Sequence, residues 1–186
     1  MDLSNRQRNL LLWVIESHGD QKRKYTNYDY WTHCYNVAKI AKEYNLSFGV
    51  EIGLCHDLLE DTEINEPDFV KALISLGYSK EDSFFILYCV SSLSNKYTAE
   101  SSGLSRKDRK KLESLRLCST IPLVQSIKYC DIIDNLLDLA DYDKKFSRVY
   151  FLEKKNLLKI MNKGHKDLLS RCEKIISENS YLLKLE

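Results

Sequence analysis

The string His-Asp-Leu-Leu-Glu-Asp-Thr-Glu at residues 56–63 sets His56, Asp57, Glu60 and Asp61 within little more than one helical turn, continuing the apolar periodicity of Ile52, Cys55 and Leu59. On a straight helix His56 stands over Glu60 and Asp57 over Asp61. A helix packed into a small domain must pair such groups or give them an ion, because uncompensated buried charge is costly. A divalent cation meets that need. Two further segments supply donors: His33 in an apolar helical stretch, and Asp131 in Ser-Ile-Lys-Tyr-Cys-Asp-Ile-Ile-Asp-Asn-Leu-Leu, where Ile127, Ile132, Leu136 and Leu139 surround it and Asn135 shares its face. The expected ligands are therefore His33, His56, Asp57 and Asp131. Mixed imidazole and carboxylate donors suit Mn, Fe, Co or Zn better than Ca or Mg, with Mn the first choice. Taken singly, a helical histidine is more often a core residue and an acidic run more often a solvated helix end. The pattern H…HD…D, with its last aspartate about 75 residues beyond the doublet, is what carries the signal. Cys34, Cys55 and Cys130 each adjoin a proposed ligand, but helical neighbours diverge by about 100°, so thiolate ligation is not expected.

The elements that must position these groups are helices. Apolar residues recur at three- and four-residue spacing almost throughout, and only two prolines and six glycines occur. A first helix is expected from about Leu3 to His18, stopped by Gly19, with a loop over Asp20 to Asn27. Helices follow over about Tyr30 to Tyr44, Phe48 to Glu60, from near Pro67, and Lys80 to Leu93. The Ser- and Asn-rich stretch Ser91 to Ser105 reads as a long surface loop. The pattern resumes at Arg106. Pro122 opens the helix carrying Asp131, and a further helix or pair runs from Asp143, interrupted at Gly164. No repeat or linker is visible.

Composition bounds the rest. At 186 residues the chain has the size of one domain, and 44% hydrophobic with 30% charged residues is the balance of a folded globular protein. Its 28 basic and 27 acidic residues leave a formal net charge of +1, so no global field draws it to nucleic acid or an anionic membrane, and any polyanion must be met locally. No apolar run suits a membrane span and the first residues lack a leader pattern, so a cytoplasmic location is expected. The six cysteines, without any C-x-x-C pair, then read as reduced thiols.

The stretch from His18 to about Leu139 resembles the HD hydrolase domain of the RelA/SpoT alarmone family, most closely its free-standing small alarmone hydrolases. Arg23, Lys24, Tyr30, His33, Val37 and Ala38 match the family's opening segment. His56, Asp57, Glu60, Asp61 and Thr62 match its His-Asp-x-x-Glu-Asp-Thr block, Leu104 to Glu113 a basic segment, and Asp131 with Asn135 its Asp-x-x-x-Asn helix. Asp29 stands where the family usually has proline, and Ile132 where a basic residue is common.

The resemblance implies an all-α, single-domain helical bundle of HD type with a metal site in its core. It also implies one phosphohydrolase domain over residues 1–186, with a motif core at 18–140 and C-terminal helices at 143–180. The implied reaction is metal-dependent removal of the 3′-diphosphate from guanosine tetra- or pentaphosphate (ppGpp or pppGpp), giving GDP or GTP and pyrophosphate. No synthetase domain fits in this length, so the opposing activity is not expected. Glu60 and Asp61 would handle the protons of the attacking water and leaving group. Arg23 and Lys24 offer local charge to phosphate, Arg in a fork suited to its oxygens. Tyr30, Lys96, Arg109 and Asn135 complete the expected substrate contacts, with Arg106 and Lys110 closing from the loop and Tyr28 or Trp31 available to stack on a base. A small-molecule nucleotide is the expected partner. The competing expectations are an HD phosphohydrolase for another nucleotide, such as NADPH or a nucleoside monophosphate, and a non-catalytic nucleotide-binding protein, against which the full ligand set argues.

Overall fold

The structure is a computed structural model that describes residues 1–24, 26–98, 102–139, 144–179 and 181. Among these residues the regular elements are helices, with one isolated antiparallel bridge between Lys22 and Asp29. The chain forms two compact units, Met1–Ser94 and Asn95–Glu186.

In the first unit α1 spans Asn5–His18, α2 Trp31–Glu43, α3 Gly49–Cys55, α4 Leu58–Asp61, α5 Glu66–Ser75 and α6 Lys80–Leu93. Helix α1 starts on a reciprocal capping box: the Ser4 hydroxyl accepts from the Gln7 amide while the Gln7 side chain accepts from the Ser4 amide. It ends at Gly19, whose φ of +50° favours glycine, as the sequence predicts. Helix α1 buries Leu10, Val14 and His18 along one stripe, and α2 buries His33, Cys34, Val37, Ala38, Ile40 and Ala41. Helices α2 and α3 cross at close range because Gly53 has no side chain. A Cβ there would lie 2.7 Å from the Ala38 Cα and 2.8 Å from its nitrogen, closer than packed atoms allow.

One expected element is corrected. The single helix predicted over Phe48 to Glu60 is two, α3 and α4, separated by His56 and Asp57. Asp57 has φ −105° and ψ −3°, outside regular helix geometry, and its carbonyl accepts from the amides of Glu60 and Asp61 to start α4. Neighbours on an unbroken helix would diverge by about 100°. The turn at the doublet removes that divergence and lets both side chains reach one point.

In the second unit α7 spans Arg106–Cys118, α8 Pro122–Leu139, α9 Lys144–Ile160 and α10 Lys166–Glu178. Helix α8 is the buried axis, with Val124, Ile127, Tyr129, Cys130, Ile132, Ile133 and Leu136 withdrawn from solvent. Helix α10 packs Leu168, Cys172, Ile175 and Ile176 inward. The interruption expected at Gly164 falls between α9 and α10: a Cβ there would meet the Tyr129 ring at 2.5 Å, and the following amide of His165 donates to the Ser126 hydroxyl at 2.8 Å. Helix α6 runs to Leu93, so the predicted loop starts at Ser94, three residues late. Its residues 99–101 and the expected helix start at Asp143 lie outside the described residues. The six cysteines are free, and all but Cys118 are buried. No helix among the described residues is long and apolar enough to cross a membrane.

Candidate metal centre

The close crossing of α2 and α3 brings His33 and the His56–Asp57 turn together. Their donor atoms lie within 4.8 Å of one another, and both imidazoles are buried. His56 Nε2 lies 3.2 Å from His33 Nε2 and 3.0 Å from Asp57 Oδ2, and His33 Nε2 lies 3.6 Å from the same oxygen. His56 Nδ1 is 2.9 Å from the carbonyl oxygen of Gly53, which can only accept, so Nδ1 carries a hydrogen. In the neutral ring Nε2 is then a lone pair aimed at a carboxylate and at a second imidazole. A lone pair and a carboxylate oxygen 3.0 Å apart, with a second imidazole nitrogen beside them, form a set of groups that a cation can bridge. The donor chemistry thus fits a divalent metal, with the Gly53 carbonyl fixing the tautomer as a metal-bound histidine requires.

Tyr30 supports this cluster directly. Its hydroxyl donates to Asp57 Oδ2 at 2.7 Å, while its ring lies between His18, at 4.9 Å between centroids, and His33, at 5.7 Å. Burial, and after it the negative charges of Asp57 and Asp61, push its phenol far above the ordinary range, so it remains a donor. The sequence assigns Tyr30 to the substrate, and its hydroxyl donates to the Asp57 carboxylate.

The acids beyond the doublet sit as the spacing suggests. Glu60 and Asp61 are both exposed residues at the end of the short α4. The Asp61 carboxyl is nevertheless pushed up to about 6, by partial desolvation first and the neighbouring Asp57 charge second, against an opposing hydrogen bond with Tyr30.

Arg23 is buried, not solvated, and its backbone closes a tight loop, its amide donating to the Tyr28 carbonyl at 2.7 Å. Lys24 and Tyr28 are exposed on that loop. Trp31 stands edge-on to Tyr35, with 6.5 Å between ring centroids.

The remaining expected residues belong to the second unit. Asp131 is buried there, with Oδ2 at 2.7 Å from Lys128 Nζ and Oδ1 accepting from Asn135 Nδ2 at 2.5 Å, so the predicted shared face of Asp131 and Asn135 is present. Lys96 is exposed, and its amide donates to Glu113. The Nε of Arg109 is buried without a hydrogen-bond partner among the described residues.

His18 carries no role in the sequence pattern of the site. It is buried, with Nδ1 at 2.8 Å from Gln21 Oε1 and Nε2 at 3.6 Å from Cys34 Sγ. Burial holds its pKa below the ordinary 6.5, opposed by the Gln21 contact and Asp57. The signal was available: His18 continues the i, i+4 stripe of Leu10 and Val14.

No family model and no curated protein matches the chain. Among solved structures it is similar to a metazoan ortholog of SpoT that hydrolyses ppGpp and plays a role in starvation responses, with a TM-score of 0.79, 20% identity, and coverage of 96% of this chain and 97% of that one. The chain has that hydrolase's fold. The all-α expectation is borne out on this likeness, and the cluster of His33, His56 and Asp57 lies inside it.

Proposed function

We propose that this protein is a metal-dependent phosphohydrolase that removes the 3′-diphosphate of guanosine tetra- or pentaphosphate. The observation that carries the reading is the convergence of His33 Nε2, His56 Nε2 and Asp57 Oδ2, a donor set that could hold a metal ion, in a chain with the fold of a ppGpp hydrolase.

His33, His56 and Asp57 would hold a divalent transition metal, Mn by the donor argument, and the sequence adds Asp131 to the set. When bound, such an ion supplies Lewis acidity, making water a competent nucleophile at phosphorus near neutral pH. The protein's own groups do the rest. The Gly53 carbonyl and the Tyr30 hydroxyl hold the His56 ring and the Asp57 carboxylate in place. Asp61, with a carboxyl poised near 6, takes the proton of the attacking water, and Glu60 beside it shares the proton traffic to the leaving group. The buried Arg23 and the exposed Lys24 stand about ten residues before His33 and set positive charge toward the diphosphate. On the same reading Lys96, Arg109 and Asn135 contact the substrate, and the two units act as one hydrolase domain.

The test is product analysis. Purified protein with Mn and ppGpp should yield GDP and pyrophosphate, and His56→Ala should abolish both. Consumption of NADPH or a nucleoside monophosphate with ppGpp untouched would keep the phosphohydrolase and remove the alarmone assignment.

A further inference from the structure

Helix α1 ends against the one ring that reaches from the loop to the Asp57 carboxylate. Its last residue, His18, is buried and lies on Tyr30, with 4.9 Å between ring centroids and 37° between ring planes. Two contacts fix the imidazole. Gln21 Oε1, which can only accept, lies 2.8 Å from Nδ1, so Nδ1 carries a hydrogen and Nε2 presents a lone pair. Cys34 Sγ lies 3.6 Å from that lone pair, and burial pushes its thiol well above the ordinary range, so it remains an S–H donor. Cys34 follows His33 on α2, and helical neighbours diverge by about 100°, so the thiol turns to α1 while the imidazole of His33 turns to the cluster.

The loop after His18 also holds the main chain of Tyr30. The Tyr30 amide donates to the Gln21 carbonyl at 2.9 Å, and the pairs Lys22 with Asp29 and Arg23 with Tyr28 continue beyond it. Gln21 thus grips Tyr30 by its backbone and His18 by its ring. A tyrosine held only at its main chain can still change rotamer and carry its hydroxyl away, so the ring needs a wall. Two imidazoles flank it. His33, at 5.7 Å between centroids, is itself one of the three donors, whereas His18 stands outside the donor set and keeps its place whether or not an ion is bound.

We propose that His18 is a positioning residue for the metal centre: fixed by Gln21 and Cys34, its ring backs the Tyr30 ring and so keeps the Tyr30 hydroxyl on the Asp57 carboxylate. The inference rests on the reading of His33, His56 and Asp57 as metal ligands. Groups that lock the rotamer of a residue orienting a ligand act on affinity through that residue alone. The effect of His18 on the metal must therefore vanish when the Tyr30 hydroxyl is gone.

Mn affinity of the full-length protein, read by calorimetry with metal-free melts of every variant, tests this as a double-mutant cycle. His18→Leu and Gln21→Leu should each weaken Mn binding by about tenfold in the wild-type background. Added to Tyr30→Phe, each should change it by no more than about twofold, because no hydroxyl is left to position. Gln21 is half-buried in the loop, so its variant carries the test alone if His18→Leu does not fold. Val14→Ala, one turn earlier on α1 and also buried, should lower the melting temperature and leave Mn affinity within about twofold, which a merely structural role of His18 would not predict. Unchanged Mn affinity in the folded variants, full additivity with Tyr30→Phe, or an equal loss in Val14→Ala would overturn the inference while wild-type Mn binding stands. Wild-type protein that binds no Mn would overturn the metal reading and the inference together.

Discussion

Replacing Tyr30 with phenylalanine removes one oxygen and leaves the ring. The lost contacts are the 2.7 Å hydrogen bond to Asp57 Oδ2 and the interaction with the Asp61 carboxyl, while the faces toward His18 and His33 persist. A hydrogen bond to a charged group contributes about 1.5–3 kcal/mol, and partners that orient metal ligands typically govern affinity by about 10–100-fold, so the two scales agree. Tyr30→Phe should therefore bind Mn about 10–100-fold more weakly than wild type. Its metal-free melting temperature should change little, since no cavity opens and the phenylalanine ring stays packed. The assay is metal titration by calorimetry or chelator competition on both proteins, with melts of each metal-free form. Unchanged Mn affinity would refute the claim that Tyr30 positions the ligand carboxylate. A large fall in metal-free stability would show instead that the hydroxyl serves the core.

Four further outcomes follow from the same geometry. His33→Ala and His56→Ala should each abolish metal-induced stabilisation in thermal melts, whereas Glu60→Gln should keep the metal shift and lose turnover. Gly53→Val should destabilise by about 1–3 kcal/mol or more in denaturant melts, because even a Cβ would lie 2.7 Å from the Ala38 Cα. His18 has a depressed folded pKa, so the unfolded chain binds more protons below 6.5; the stability it contributes is full above 6.5 and is lost as pH falls toward the folded value. Metal-free His18→Gln should accordingly lose less stability than wild type when acidified from about pH 7 to 5, as denaturant midpoints would show. Asp131→Ala should weaken Mn binding if the sequence assigns it correctly, and calorimetry reads this directly.

The sequence reveals residue types better than it reveals how the chain turns. The His56–Asp57 doublet, His33 and the buried Asp131 were visible as polar groups set in apolar helical stretches, and the stop at Gly19 and the opening at Pro122 were visible as backbone signals. The break between α3 and α4 was not. Neither glycine nor proline marks it, and the turn is held by tertiary contacts, the Gly53 carbonyl on His56 Nδ1 and the Tyr30 hydroxyl on Asp57. The burial of Arg23 was hidden for a related reason: its type gives the charge, while the tight loop that its backbone closes withdraws it from solvent. His18 was visible as the next position on the Leu10–Val14 stripe, whereas its contact with the Cys34 Sγ comes from a neighbour distant in sequence that no local pattern announces.

Metal-dependent hydrolysis is tested by following ppGpp in the presence of wild-type protein, with Mn and after chelation, and resolving the nucleotide products. GDP and pyrophosphate should form in equal amounts, only with metal, with no turnover by His56→Ala that melts as a folded protein. Turnover that survives chelation, or persists in folded His56→Ala, would contradict it.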